Sequence, residues 1–119
     1  PSLLESEAAR VFSDWTGPSN RFMTMAYMVV PAFREAFAGV TGPDGSCRPQ
    51  LVGDDDPGRF ATLLRAVRQR LGLGVILNTS YNIHGEPIVC TPTEAVDVFL
   101  RSEADALALG PFIVRPEAR

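Results

Sequence analysis

Residues 74–89 read Gly74-Val75-Ile76-Leu77-Asn78-Thr79-Ser80-Tyr81-Asn82-Ile83-His84-Gly85-Glu86-Pro87-Ile88-Val89. The segment opens with a short apolar run and turns polar at its fifth residue. This pattern is typical of a buried strand that leads into a polar loop. Ligands of open α/β sheets bind at the carboxyl ends of the strands, so we expect a binding loop here. Its short neutral donors suit phosphate or carbonyl oxygens.

Helix and strand signals follow this loop. Thr91, Pro92 and Glu94 form a helix start, with a cap, a first-turn proline and a capping-box glutamate. The predicted buried face of this helix consists of Ala95, Val96, Phe99 and Leu100. Two short strands, 105–109 and 112–114, are expected around a Gly-Pro pair.

A second helix is predicted before the loop, from Pro57 to about Leu71. Its apolar stripe comprises Phe60, Leu63, Leu64, Val67 and Leu71. The preceding Asp54, Asp55 and Asp56 also admit a metal-binding interpretation. We favour Asp56 as the N-cap, because acidic side chains suit the positive end of a helix.

The first half of the chain predicts two helices and two strands. Ser2 and Glu5 have capping-box spacing, which indicates a helix at the start of the chain. The run from Phe22 to Val30 predicts a buried strand. A short helix at 32–38 and a strand at 47–52 follow.

This order of elements predicts an α/β domain whose twisted open sheet is flanked by helices. We expect a single domain over 1–119, with a leading helix and linker at 1–20, a core at 21–114 and a tail at 115–119. The sheet is expected to be incomplete in this chain.

Composition narrows the function. The 119 residues carry a net charge of −3 and no lysine, so no basic field favours nucleic acid. No apolar run approaches the length of about 20 residues that a membrane helix requires. Cys47 and Cys90 are expected as reduced thiols of a cytoplasmic protein, with Cys90 buried. No metal site is predicted.

The candidate site residues of the loop have a functional and a structural interpretation. Ser80 can donate to an oxyanion, and nearby backbone N–H groups could form an anion nest. Asn78, Thr79 and Asn82 can fix the ligand or hold the loop, and for Asn78 and Thr79 the structural interpretation is an Asx/ST turn that satisfies its own backbone. We interpret His84 as a loop residue and Glu86 as structural, although a carboxylate could also bind magnesium.

A second candidate segment lies at 41–48. Pro43-Asp44-Gly45 predicts a turn in which the aspartate bonds its own backbone and the glycine takes a positive φ. Arg48 offers a permanently charged planar fork to phosphate oxygens, although a solvated charge is the simpler interpretation.

Both segments carry a family resemblance. The run Leu77-Asn78-Thr79-Ser80-Tyr81-Asn82-x-x-Gly85-Glu86-Pro87-Ile88-Val89-Cys90-Thr91-Pro92 resembles the signature of the C-terminal, YrdC-like domain of the NodU/CmcH family of O-carbamoyltransferases. Its Ser-x-Asn core is similar to the phosphate loop of YrdC-type proteins that form carbamoyl adenylate. Residues 41–48 are similar to the family's Thr-His-x-Asp-Gly-Thr-x-Arg, with Gly42 in place of the histidine.

The resemblance implies that the domain takes carbamoyl phosphate and ATP with Mg²⁺ and makes carbamoyl adenylate. A separate N-terminal domain with an actin-like ATPase fold and a transition metal would then pass the carbamoyl group to an acceptor hydroxyl. Such acceptors are antibiotics or nodulation oligosaccharides, which indicates secondary metabolite biosynthesis. The catalytic residues implied are Arg48 and Ser80. The binding residues implied are Asp44, Gly45, Ser46, Arg48, Asn78, Thr79, Ser80, Asn82 and Gly85.

The family's upstream Gly-Pro-Arg-Ala-Leu-Gly segment and the lysine after it are absent, so we expect the chain alone to be inactive. Two alternatives stay open. One is a noncatalytic ligand-binding or interaction module. The other is a YrdC-type protein of tRNA modification, against which the acidic charge and short length argue. A homodimer formed through an exposed sheet edge is a further expectation.

Overall fold

The computed structural model describes residues 1–17 and 19–116, which form two compact units, Pro1–Asn78 and a second that begins at Thr79. The first unit contains β1 (Ser2–Leu4), α1 (Glu5–Val11), β2 (Tyr27–Met28), a 3-10 turn (Pro31–Phe33), β3 (Ser46–Cys47), β4 (Gln50–Val52), α2 (Arg59–Leu71) and β5 (Val75–Ile76). The second contains α3 (Pro92–Arg101), β6 (Leu107–Leu109) and β7 (Phe112–Val114).

Strand β1 is the centre of a three-stranded sheet. It pairs in parallel with β4, where Leu3 faces Leu51, and antiparallel with β5, where Leu3 faces Val75. The predicted capping of a helix by Ser2 is therefore wrong. The Ser2 hydroxyl donates to Gln50 Oε1 at 2.7 Å, and α1 begins at Glu5 without a side-chain cap. A central strand buried by its neighbours looks like an apolar run, which a helix pattern can also contain.

An aromatic core lies beside this sheet. The Phe12 ring centroid is 5.6 Å from Tyr27 and 6.2 Å from Phe37, the latter edge-on. Phe12 and Phe37 are almost completely buried, as is Leu3 of the central strand. A second, smaller cluster packs α2 against the other side of β1 and β4; it consists of Leu4, Val52, Ala61 and Leu64.

The strand predicted to begin at Phe22 begins instead at Tyr27. The preceding residues form a loop around the side chain of the buried Asn20. Its Nδ2 donates to the carbonyls of Met25 and Pro49, each at 2.9 Å. Its Oδ1 accepts from the backbone N–H groups of Thr24 and Met25 at 3.0 and 3.2 Å. These bonds hold the chain in a loop, so Phe22 is 84% exposed and the strand is confined to Tyr27–Met28.

Helix α2 is confirmed, although it begins two residues later than expected. Asp56 Oδ1 accepts from Gly58 N at 2.7 Å, which places the aspartate in a turn before the helix. Of the expected stripe, Leu64 is buried, whereas Leu63 and Leu71 are 50% and 77% exposed. Arg68 on α2 lies 2.8 Å from the buried Glu7 carboxylate of α1, so an ion pair joins the two helices.

The second unit follows the prediction closely at α3. Thr91 Oγ1 accepts from Glu94 N at 3.2 Å, and Glu94 Oε2 accepts from Thr91 N at 2.9 Å, which confirms the capping box. The β6–β7 hairpin is also confirmed. Cys90 is exposed because it precedes the helix in the loop, so its predicted burial is wrong. Leu100 was expected in the buried face and is 73% exposed.

The α/β class is confirmed, with strands in sheets of three, two and two within the described ranges. A single twisted sheet of YrdC type stays a prediction. Residues 1–20 were expected to form a leading helix and a linker. In the structure they also contribute the central strand β1 and several core side chains of the first unit. Residues 117–119 of the predicted tail lie outside the described residues. In the described part of the chain, every helix is too short or too polar to cross a membrane.

Candidate functional site

The turn at residues 42–46 forms as the Pro-Asp-Gly pattern predicts. Asp44 Oδ1 accepts from Ser46 N at 3.0 Å and from Ser46 Oγ at 2.9 Å, and Gly45 has φ of +84°. Hydrogen bonds from the Ser46 backbone and hydroxyl lower the pKa of Asp44. Gly42 N donates to Ser46 O at 2.7 Å, which closes the turn. The structure thus brings Asp44, Gly45 and Ser46 together in one turn, which their own hydrogen bonds and the positive φ of Gly45 stabilise.

Arg48 follows this turn but takes no part in its hydrogen bonds. Its neighbours Cys47 and Pro49 are buried, which fixes the backbone on both sides. Its side chain is exposed and makes no hydrogen bond or ion pair with residues 1–17 or 19–116. An uncommitted guanidinium on a fixed backbone can bind an oxyanion without first breaking an internal ion pair.

Arg34 is a candidate that the sequence did not indicate. Its Nη2 lies 3.6 Å from the position that a Cβ on Gly45 would occupy. Arg34 and residues 41–45 line a shallow cavity of about 320 Å³, together with Ala38. The structure therefore adds a second exposed arginine beside the 41–48 segment. No pattern in the sequence links this arginine to a turn several residues further along.

Asn78 ties the ends of three strands. Its Nδ2 donates to Ser2 Oγ and, at 3.1 Å, to Gln50 Oε1. Ser2 lies in β1 and Gln50 in β4, and Asn78 follows β5 by two residues. The amide N–H groups of Asn78 are therefore engaged within the first unit, which favours its structural interpretation. Its predicted contact with a ligand stays a prediction.

The loop at 79–86 is stabilised by its own side chains. Ser80 Oγ donates to Asn82 Oδ1, and Asn82 Nδ2 donates to Glu86 O at 2.8 Å and to Ile83 O at 3.3 Å. Gly85 has φ of +87°, which a glycine adopts without strain. The structure thus brings Ser80 and Asn82 together, with Asn82 committed to loop carbonyls and the Ser80 hydroxyl exposed.

Thr79 is exposed and makes no side-chain hydrogen bond with the part of the chain that the structure describes. Its predicted binding role stays a prediction. His84 is also exposed, in keeping with its interpretation as a loop residue. Both side chains are accessible from solvent, which leaves them available to a ligand without arguing for one.

Two side-chain contacts hold this loop against α3. The sequence indicated a structural role for Glu86 but not its partner, and it did not indicate the contact made by Tyr81. Tyr81 Oη donates to the carbonyl of the buried Ala95 at 2.8 Å, and Tyr81 itself has φ of +48°. The Glu86 carboxylate accepts two bonds from Arg101, at 2.8 and 3.0 Å. These bonds and the Arg101 charge lower the pKa of Glu86, so the carboxylate is ionised at neutral pH. This pairing supports the structural interpretation of Glu86.

A wider cleft of about 610 Å³ lies elsewhere on the first unit. Phe22 and Phe60 contribute to its walls, together with three carboxyl side chains and one guanidinium, those of Glu5, Asp55, Asp56 and Arg21. It contains none of the predicted site residues. The three carboxylates outnumber the one arginine and repel a phosphate group, so this cleft is a poorer candidate for anion binding than the exposed loops.

The family described as carbamoyltransferase C-terminus matches residues 1–116. Nodulation protein NolO of Bradyrhizobium diazoefficiens is 34% identical over 116 residues, which are 97% of this chain and 21% of the relative. Nodulation protein U of the same organism is 31% identical over 85 residues, 71% of this chain and 15% of the relative.

An uncharacterized protein of Methanocaldococcus jannaschii is 38% identical over 93 residues, 78% of this chain and 18% of its own length. The chain therefore spans about a fifth of the length of such relatives. The family match extends over nearly every residue, including both loops that carried the resemblance. The chain belongs to the family of carbamoyltransferase C-terminal domains.

Proposed function

We propose that this chain is the C-terminal part of an ATP-dependent O-carbamoyltransferase. It would bind carbamoyl phosphate and ATP for the formation of carbamoyl adenylate, before another domain transfers the carbamoyl group to an acceptor hydroxyl. Family membership supports the transferase class. The observation that carries the binding role is the exposed Ser80 hydroxyl, which is oriented by Asn82 on a loop that the Asn82 amide holds through two backbone carbonyls.

The proposed chemistry is electrostatic. Arg48 would supply charge to a phosphate or carbamoyl oxygen, because its guanidinium has no internal partner among the described residues. Ser80 would turn its O–H from Asn82 to the ligand, which exchanges one hydrogen bond for a charge-assisted one. Asn82 would hold the loop rather than the ligand, because both of its amide N–H bonds go to loop carbonyls.

Mg²⁺ would be held chiefly by the phosphates of the nucleotide. No group of three or more His, Cys, Asp or Glu side chains is placed to hold a metal within 1–17 and 19–116. The donors of both loops are hydroxyl, amide and guanidinium groups, which fit phosphate oxygens better than a cation. Magnesium commonly keeps several waters and binds through substrate phosphates, which is compatible with this set.

The test is carbamoyl-phosphate-dependent turnover of ATP by a protein in which this chain follows its upstream domain. Ser80→Ala is expected to lower kcat by about 10²–10³, the usual effect of removing one such donor. Arg48→Gln should also lower it, whereas Arg70→Gln on the exposed side of α2 should leave it unchanged. The 119 residues alone are expected to give no turnover. Full activity of Ser80→Ala would contradict the proposal.

A noncatalytic binding module is the second candidate. It is favoured by one observation, that Ser80 and Asn82 satisfy each other within the loop. A protein that binds carbamoyl phosphate but shows no carbamoyl adenylate synthesis when joined to its upstream domain would decide for this candidate.

A further inference from the structure

The side chain of Arg101 is held by a residue of its own helix, α3, and also contacts the loop at residues 79–86. It lies one helical turn after Asp97, and its Nε and Nη2 contact Asp97 Oδ2 at 3.0 and 2.8 Å. Its Nη1 and Nη2 donate to the two oxygens of Glu86 at 2.8 and 3.0 Å. Because Asp97 holds one edge of the guanidinium, the N–H groups on the other edge keep a fixed orientation that suits two hydrogen bonds to a carboxylate.

This pair contributes little to overall stability. The side chains of Arg101 and Glu86 are 43% and 38% exposed. Ion pairs at such exposure contribute little to the free energy of unfolding, because water screens them. The contact must therefore be judged by what it positions. It fixes residue 86 at the end of the loop, while the bond from Tyr81 to Ala95 fixes the middle of the loop on the same helix.

A chain of contacts leads from Arg101 to Ser80. The carboxylate of Glu86 binds Arg101, and the backbone carbonyl of the same residue accepts from Asn82 Nδ2 at 2.8 Å. The other end of that amide, Asn82 Oδ1, accepts from the Ser80 hydroxyl. A shift of residue 86 would therefore turn the Asn82 amide and move the acceptor that orients Ser80.

On these contacts we propose that Arg101 is a positioning residue that sets the orientation of the Ser80 hydroxyl for carbamoyl phosphate. This inference rests on the proposed function of Ser80. It assigns to α3 a role in ligand binding that neither of the loop motifs contains. Arg101 itself makes no contact with the ligand and acts through Glu86 and Asn82.

The test compares Arg101→Gln and Arg101→Lys with Arg70→Gln, an exposed arginine of α2 that is outside these contacts. Two quantities are measured in the 119-residue chain: amide hydrogen exchange at residues 79–86 and the Kd for carbamoyl phosphate. Arg101→Gln should speed exchange in the loop and weaken binding about three- to tenfold. Arg101→Lys should fall between it and the unsubstituted chain, and Arg70→Gln should change neither quantity.

A double variant separates positioning from a general structural effect. Ser80→Ala with Arg101→Gln should bind as Ser80→Ala alone does, because Arg101 acts through Ser80. Additive losses would overturn the inference, and so would unchanged loop exchange in Arg101→Gln. If the unsubstituted chain does not bind carbamoyl phosphate, the proposed function fails, and exchange in the loop still decides whether Arg101 positions it.

Discussion

Replacing the buried Asn20 by aspartate exchanges one NH₂ group for an oxygen and tests how the first unit is held together. Asn20 is 2% exposed. The change keeps the bonds that Oδ1 accepts from Thr24 and Met25. It removes the two bonds donated at 2.9 Å to the carbonyls of Met25 and Pro49, and it places a negative oxygen against both carbonyls.

The magnitude follows from the surroundings of the two carbonyls. The bond to the Met25 carbonyl is only part-buried, so we take its loss to cost about 1 kcal/mol. Pro49 is fully buried, so its carbonyl stays unsatisfied at a cost of about 1–3 kcal/mol. We therefore expect Asn20→Asp to lower the unfolding free energy by about 3 kcal/mol at pH 7, summing these two costs.

The loss should also depend on pH. Burial and the facing carbonyls would raise the pKa of the new carboxyl in the folded chain above its unfolded value of about 3.9. The folded state then binds more protons than the unfolded state, so the variant gains stability relative to the unsubstituted chain as the pH falls through the raised folded pKa. The neutral carboxyl can donate one bond again, which explains the direction.

The assay is urea unfolding at pH 7 and pH 5, followed by circular dichroism and by the fluorescence of the single tryptophan, Trp15, in the first unit. Gln69→Glu makes the same chemical change at an exposed position of α2 and should stay within about 0.5 kcal/mol. A loss below about 1 kcal/mol for Asn20→Asp, or an equal loss at both pH values, would refute the reasoning.

Three further predictions concern packing and acid stability. A Cβ on Gly74 would lie 2.9 Å from Leu64 O, so Gly74→Ala should lower the unfolding free energy by about 1–3 kcal/mol. Gly39 has open space around it, so Gly39→Ala should not lower the unfolding free energy in this way. Urea unfolding of both variants checks this prediction. Phe37→Ala should lower the unfolding free energy by about 3–5 kcal/mol in the same assay, since Phe37 is fully buried; a loss below about 1 kcal/mol would show that the site is not core. Hydrogen bonds from the backbone N–H groups of Cys90 and Thr91 lower the pKa of Glu94 in the folded chain. The ionised Glu94 therefore stabilises the fold above its unfolded pKa of about 4.3, and this contribution to the unfolding free energy is lost as the pH falls through the lower folded pKa. Glu94→Gln should make the unfolding free energy depend less on pH in this acidic range.

Local signals in the sequence predicted the elements that depend on neighbouring residues. The capping box at Thr91, the C-terminal end of α2 at Leu71 and the turn at Asp44 each require residues within four positions of one another. These contacts form in the same way whatever the rest of the chain does. They therefore appeared in the structure as expected.

Long-range contacts explain the elements that the sequence did not predict. Ser2–Leu4 is a strand because it pairs with Gln50–Val52 and Val75–Ile76, and no local pattern records those partners. The loop after Asn20 exists because a single buried amide binds backbone groups up to 29 residues away.

The candidate site divides in the same way. Its loop residues were visible as motifs, whereas the pairing of Glu86 with Arg101 and the position of Arg34 required the folded chain. A charged residue on a helix looks the same in the sequence whether it faces water or a loop carboxylate. For this reason the motifs indicated which residues could bind, and only the structure indicated which side chains are already engaged.

The most direct test of the account is an amide NMR titration of this chain with carbamoyl phosphate, followed by ATP and magnesium. We expect shift changes centred on Ser80 and the loop around it, lost in Ser80→Ala and weakened in Arg48→Gln. Arg70→Gln should titrate like the unsubstituted chain. A well-folded sample whose Ser80 and Arg48 signals do not move at any ligand concentration would contradict the central claim that these loops bind the carbamoyl donor.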